Sequence, residues 1–220
     1  LLCKTRHAQR IFSQMGSDAR YTGFTSEDRL DKAVPRRREF FHLAGRSPVK
    51  GTEVLLEAWR RHPEWPRLVV VQSPRHARPG SPVENIAHIV GRIDDAELRR
   101  LQNACLFHIC PSEAEGFGHC LVEGLSVGAV SVTTDGEPMN EVVGSDAGLL
   151  VPPVRVEPMG LARRYYVDVH GIEDAVERLL AMDEAGVAAM SAFARRRFEA
   201  MDAAFRRRLA HEVADAAGLD

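Results

Sequence analysis

Six short apolar runs, each of strand length, punctuate the middle of this chain and leave little choice of fold. They are EFFHLAG (39–45), LVVVQ (68–72), IAHIV (86–90), LFHIC (106–110), AVSVT (129–133) and GLLV (148–151). Most are apolar continuously rather than alternately, as strands are when both faces of a sheet are covered. Helix-length stretches lie between most of them. Thr52 can cap a helix carrying Val54, Leu55, Ala58 and Trp59 inward, ended by His62-Pro63. Asp94 and Glu97 have capping-box spacing before a helix with Leu98 and Leu101 on one face. SPRHARPGSP (73–82) reads as a polar loop. Such strands are joined by right-handed crossovers, so the expected class is α/β: a Rossmann-like, doubly wound parallel sheet. The opening LLC precedes a helical stretch at about 5–16. From Ile172 the pattern is helical almost to the end, through Val176, Leu179, Phe193, Phe198, Phe205 and Leu209. We expect a Rossmann-like domain over 1–171 and C-terminal helices over 172–220 packed on it.

Bulk properties narrow the function. A net charge of -2 gives no reason to expect a polyanion, so nucleic acid is not an expected partner. The arginine triplets at 36–38, 195–197 and 206–208 are diluted by acidic residues and lack stacking aromatics, which predicts solvated helix faces. The longest apolar runs, such as LVVV (68–71), are too short to span a bilayer, and no secretory leader pattern opens the chain. Cys3, Cys105, Cys110 and Cys120 form no disulfide framework, which points to a reducing, cytoplasmic setting. His108, Cys110, His119 and Cys120 lack metal-ligand spacing, so no metal is expected. No G-x-G-x-x-G follows the first strand, against a dehydrogenase dinucleotide site.

In open α/β sheets, ligands bind beyond the carboxyl ends of the strands. Two stretches stand there: AGRSPVKGT (44–52), with Arg46 and Lys50, and PSEAEGFGHCLVEG (111–124), with Glu115 and Glu123. The chain has only three lysines against 26 arginines, so a lysine at position 50 stands out. Glycines admit a close-lying ligand, and a helix start supplies free N–H groups and a positive dipole end. Two cations plus that helix start can hold a diphosphate without a divalent metal. Carboxylates accept hydrogen bonds from hydroxyls, so the glutamates suit ribose or a hexose. Diphosphate plus polyols describes a nucleotide-sugar.

These residues, with HIVGRIDDAELRRLQNA and PSEAEGFGHCLVEGLSVGAVSV, resemble the donor-binding, C-terminal half of retaining GT-B glycosyltransferases over about Phe40 to Val151. Glu115 and Glu123 match the family's E-x7-E element. The resemblance implies Arg46 and Lys50 on the donor diphosphate and Glu115 on sugar hydroxyls, helped by Gly116, Phe117 and Gly118. It further implies Glu123 on the ribose, amides of His119, Cys120 and Leu121 on phosphate, and Arg92 and Ile93 beside the base. Arg46, Lys50 and Glu115 are the implied catalytic group. The donor would be a UDP-sugar or GDP-sugar, with no cofactor. A saccharide or lipid-linked acceptor would sit in an N-terminal domain, which this chain is expected to lack, Leu1 falling about where the interdomain linker would end. The spacing from GR to KG is one residue shorter than in the family, and its GG-x-P-E element reads DGEPMNEVV, leaving Glu137 or Glu141 at the last position. The implied activity is hexosyl transfer with retention of configuration. The alternative is a non-catalytic nucleotide-sugar-binding module acting only with a partner domain or chain.

Overall fold

The computed structural model describes residues 1–78 and 80–218; Pro79, in the expected loop, and Leu219 and Asp220, at the end of the expected tail, lie outside the described residues. A small parallel pair opens the chain: β1 (Leu2–Cys3), α1 (Arg6–Gln14) and β2 (Arg20–Tyr21). The main sheet uses β3 (Arg37–Gly45), β4 (Leu68–Gln72), β5 (Ile86–Val90), β6 (Cys105–Cys110), β7 (Val130–Thr134) and β8 (Gly148–Val151). They run parallel in the order β5-β4-β3-β6-β7-β8. The chain works outward from β3 in one direction, then returns to β6 and works outward in the other. The order therefore reverses between β3 and β6.

Helices cover both faces. Phe40, Val70, Phe107, Ile109 and Val132 pack with Leu55 and Trp59 of α2 (Thr52–Arg61) and Ile172 and Val176 of α6 (Val169–Ala181). On the opposite face, Phe41, Val69 and Val71 meet Leu101 of α3 (Asp95–Ala104). There too Cys110 joins Leu121 and Leu125 of α4 (His119–Ser126), Met139 of α5 (Met139–Val143) and Phe198 of α7 (Glu184–Ala217). Alternate strand residues thus supply two dry layers, and that two-sided burial forces the continuous apolar runs. Among the described residues no helix is long and apolar enough to cross a membrane.

Several local expectations change. Thr52 is not the cap of α2: Gly51, left-handed at φ 65°, takes that place, and Thr52 is the first helical residue. Asp94 does cap α3, accepting from the Glu97 N–H at 2.7 Å. The return half of the capping box is missing, because the Glu97 carboxylate pairs with Arg100 one turn on. An antiparallel hairpin, β9 (Arg155–Met159) and β10 (Ala162–Tyr166), fills a stretch given no structure from sequence. Asp168 caps α6, which begins at Val169 rather than Ile172. The arginine triplets are partly internal struts. Arg38 donates to the carbonyls of Leu179 and Met182 at the end of α6, Arg197 to Val142 O, and Arg195 pairs with Asp28 at 2.6 Å. Free carbonyls at helix ends attract cations more strongly than water does when the stem is already packed.

Candidate functional site

The loops leaving β3 and β6 meet at the strand-order reversal, the place where an open parallel sheet splays to admit a ligand. The Glu113 N–H donates to Val49 O at 3.0 Å. Gly51 comes so close to Pro111 that a Cβ on it would lie 2.2 Å from the Pro111 carbonyl oxygen, at a left-handed φ that other residues avoid. Glycine is what allows the two loops to close on each other.

That closure brings Lys50, Glu115 and Cys120 together. The Lys50 ammonium pairs with Glu115 Oε1 and lies 3.4 Å from Cys120 Sγ, while Ser112 Oγ donates to the same Glu115 oxygen at 2.7 Å. Both charged side chains are largely buried, 13% and 8% exposed. Burial opposes the Lys50 charge, but the sulfur of Cys120 and the carboxylate of Glu115 outweigh it and hold its pKa above the ordinary lysine value. The contact with Cys110 and the nearby ammonium lower the Cys120 thiol. Cys110, hydrogen-bonded to the Cys120 sulfur and buried behind it, is pushed well up.

Under this group lies His42. Its Nδ1 is 2.8 Å from Ile109 O on β6, and its Nε2 is 2.9 Å from Thr52 Oγ1 at the start of α2. A carbonyl only accepts, so Nδ1 carries the proton and Nε2 accepts from the threonine hydroxyl. Full burial pushes the His42 pKa down to about 4. One neutral ring thereby joins both central strands to the helix that follows Lys50.

On the other loop, Gly118 is left-handed at φ 66° and turns the chain into α4. Among the described residues the amides of His119 and Cys120 have no partner, leaving the positive end of α4 open beside Lys50. Leu121 departs from expectation: its N–H donates to Gly118 O at 3.0 Å, so it is not free for phosphate. Gly116 and Phe117 form the exposed turn, Phe117 stacked on His119 with the Lys4 Nζ 2.9 Å from its ring centroid. Glu115 borders a cavity of about 180 Å³ walled by Ala8, Ile11, Phe12, Leu161 and Arg163.

Glu123, one turn into α4, is held by a different set. Its Oε2 accepts from Gln102 Nε2 at 2.8 Å, and Gln102 Oε1 accepts from Arg29 Nε at 2.5 Å. His108 Nε2 donates to the Gln102 carbonyl at 2.9 Å, and burial pushes its pKa down to about 4. Gly124 lets α4 settle on that ring, since a Cβ there would lie 2.9 Å from His108 Nδ1.

The remaining sequence candidates are not part of this group. Arg46 is exposed, and among the described residues it makes no side-chain hydrogen bond. Arg92 is exposed after β5, and Ile93 packs into the apolar layer beside α3, two strands out from β3 on the same carboxyl edge. The Glu137 carboxylate pairs with His7 and Arg10, and Glu141 accepts from the Arg6 and His7 amides at the start of α1. Ser112, His42, Gln102 and Arg29 are absent from the sequence-derived site. A signal did exist for His42: a polar ring inside an otherwise apolar strand run is an unusual burial that asks for partners. Among the described residues no three His, Cys, Asp or Glu side chains are placed to hold a metal ion.

The family model described as Glycosyl transferases group 1 matches residues 38–182. Among solved structures, sucrose-phosphate synthase from Thermosynechococcus elongatus superposes with a TM-score of 0.74 at 19% identity, over 98% of this chain and 58% of that one. HepE of Anabaena, in complex with UDP and glucose, gives 0.72 at 15%, over 97% of this chain and 62% of that one. The C-terminal domain of a glycosyl transferase group 1 family protein from Francisella tularensis gives 0.57 at 21%, over 80% and 94%. The chain thus spans about three fifths of the first and second of these proteins and nearly all of the isolated domain. No curated protein matches it.

Proposed function

The chain belongs to the glycosyl transferases group 1 family, with the Rossmann-like fold of a GT-B C-terminal half, and from that premise we propose that it binds the donor for hexosyl transfer from a nucleoside diphosphate sugar, with retention of configuration. The observation that carries this reading is the buried Lys50–Glu115 pair beside the open start of α4 at the sheet reversal. Without donor, each charge partly neutralises the other. An incoming diphosphate draws the ammonium to itself, and Glu115 is then free to accept from sugar hydroxyls. Lys50 and the α4 amides stabilise the negative charge that builds on the leaving diphosphate. One fixed cation, Lys50, together with the open start of α4 leaves no need for a divalent metal. No side chain is assigned as nucleophile: the protein positions donor and acceptor, and the departing diphosphate is stabilised where it forms. The acceptor, a saccharide or lipid-linked sugar, is presented by a facing N-terminal domain outside these residues.

Calorimetric titration with UDP-glucose and GDP-mannose, with and without EDTA, tests the reading. Binding of one donor, unchanged by EDTA and weakened about ten- to hundredfold in Lys50→Ala, is the expected result. Loss of binding in EDTA, or full affinity in Lys50→Ala, overturns it.

A further inference from the structure

Glu123 is held by a buried relay whose far end lies ninety-odd residues upstream in the chain. Gln102 is 1% exposed, and its amide has one self-consistent orientation: the carbonyl faces the Arg29 Nε–H at 2.5 Å and the NH2 faces Glu123 Oε2 at 2.8 Å. Flipping it would set NH2 against guanidinium and oxygen against carboxylate, so the neighbours fix its direction. Arg29 is fixed in turn. Its side chain is 5% exposed and bonds Asp95 Oδ1 at 2.8 Å, its N–H donates to Ser126 Oγ at 3.2 Å, and its carbonyl accepts from Asn103 Nδ2 at 2.8 Å. The guanidinium polarises the amide and so strengthens the N–H that meets Glu123. Among the described residues, Glu123 Oε1 has no hydrogen-bond partner, and it is the oxygen left to a ligand.

We propose that Arg29 and Gln102 are positioning residues for Glu123: they clamp one carboxylate oxygen so that the other is presented to the ribose hydroxyls of the donor. The proposal rests on reading Glu123 as the group that meets the ribose. A clamped carboxylate gives up no rotamer freedom on binding, so the relay acts on ribose recognition and on nothing else in the ligand.

The test is the preference for ribose over a deoxy sugar, measured calorimetrically with whichever of UDP and GDP binds more tightly and with its 2′,3′-dideoxy counterpart. Gln102→Leu should cut that preference about tenfold and leave the dideoxy affinity unchanged. Gln102→Glu keeps the volume and the bond from Arg29 but turns an acceptor towards Glu123, and it should lose the preference as well. Arg29→Lys should cost about threefold, since an ammonium cannot reproduce the Nε–H direction. Thermal melting of each variant checks that it is folded. Equal weakening of both nucleotides in folded Gln102→Leu and Gln102→Glu means ordinary packing, and unchanged preference means no clamp; either result overturns the proposal. Glu123→Ala separates the premise from the inference. If that variant keeps the full ribose preference, the reading of Glu123 fails; if it loses the preference while both Gln102 variants keep it, only the relay fails.

Discussion

On the β3 side of the cleft, the candidate cation is carried into place by its neighbours in sequence, though it pairs across the cleft with Glu115: Lys50 sits on a short loop between Gly45 and Gly51, and its helix starts at the next residue but one. On the β6 side, the second glutamate depends on Gln102 and Arg29, from segments distant in sequence. Each side also rests on a buried neutral histidine, His42 under α2 and His108 against α3 and α4. A cation can be delivered by loop geometry alone, because a point charge tolerates small errors in direction. A carboxylate reading hydroxyls needs a fixed orientation, and a longer-range network supplies it.

The strongest way to break the comparison is acid. Both histidines titrate near 6.5 when unfolded and at about 4 when folded, so their stabilising contribution is complete above about pH 6.5 and lost as the pH falls to about 4. Each is expected to contribute on the order of 3 kcal/mol to that loss. Urea unfolding across this range should show the steep decline, and His42→Gln and His108→Gln should each flatten about half of it. A profile unaltered by either substitution would show that carboxylates, not these rings, govern acid unfolding.

The two close-packed glycines sharpen the contrast at intermediate energy. Gly51→Ala meets a backbone carbonyl at 2.2 Å and a left-handed φ, whereas Gly124→Ala meets a histidine ring at 2.9 Å. The first should cost about 2–3 kcal/mol and open the loop contact; the second should cost about 1 kcal/mol. Denaturant midpoints compare them directly, and a larger cost at Gly124 would reverse the assignment of rigid and yielding sides.

The smallest effect concerns the two cations of one loop. Lys50→Ala should weaken UDP or GDP binding about ten- to hundredfold, and exposed Arg46→Ala by less than about threefold. Equal losses in calorimetry would mean that Arg46 turns inward when diphosphate is present.

The same contrast explains what could be read from the sequence. The sheet was legible because two-sided burial writes itself as apolar runs such as LVVVQ, whereas the order of its strands was not, since alternation with helices leaves open which strands lie side by side. Lys50, Glu115 and the α4 start were legible because they sit at strand ends with glycines. Gln102 and Arg29 were not, since nothing within a few residues of either marks a partner on α4. The hairpin was hidden for another reason. Its strands are charged and carry Pro158, so they lack strand periodicity; they form because Ala162 to Tyr166 pair in register with Met159 to Arg155 around a tight turn at Gly160.

That hairpin is more than an appendage. The Tyr165 N–H donates to Glu113 O at 2.8 Å, Arg164 pairs with the Glu113 carboxylate, and the Tyr165 ring fills the space that a side chain at position 136 would need. Glu113 is two residues from Glu115. The hairpin is therefore a handle on the glutamate loop: its exposed tip, Met159 to Leu161, is joined through two paired strands to a residue close in sequence to the one expected to face the sugar. Whatever touches that tip touches a unit bonded directly to the loop that carries Glu115.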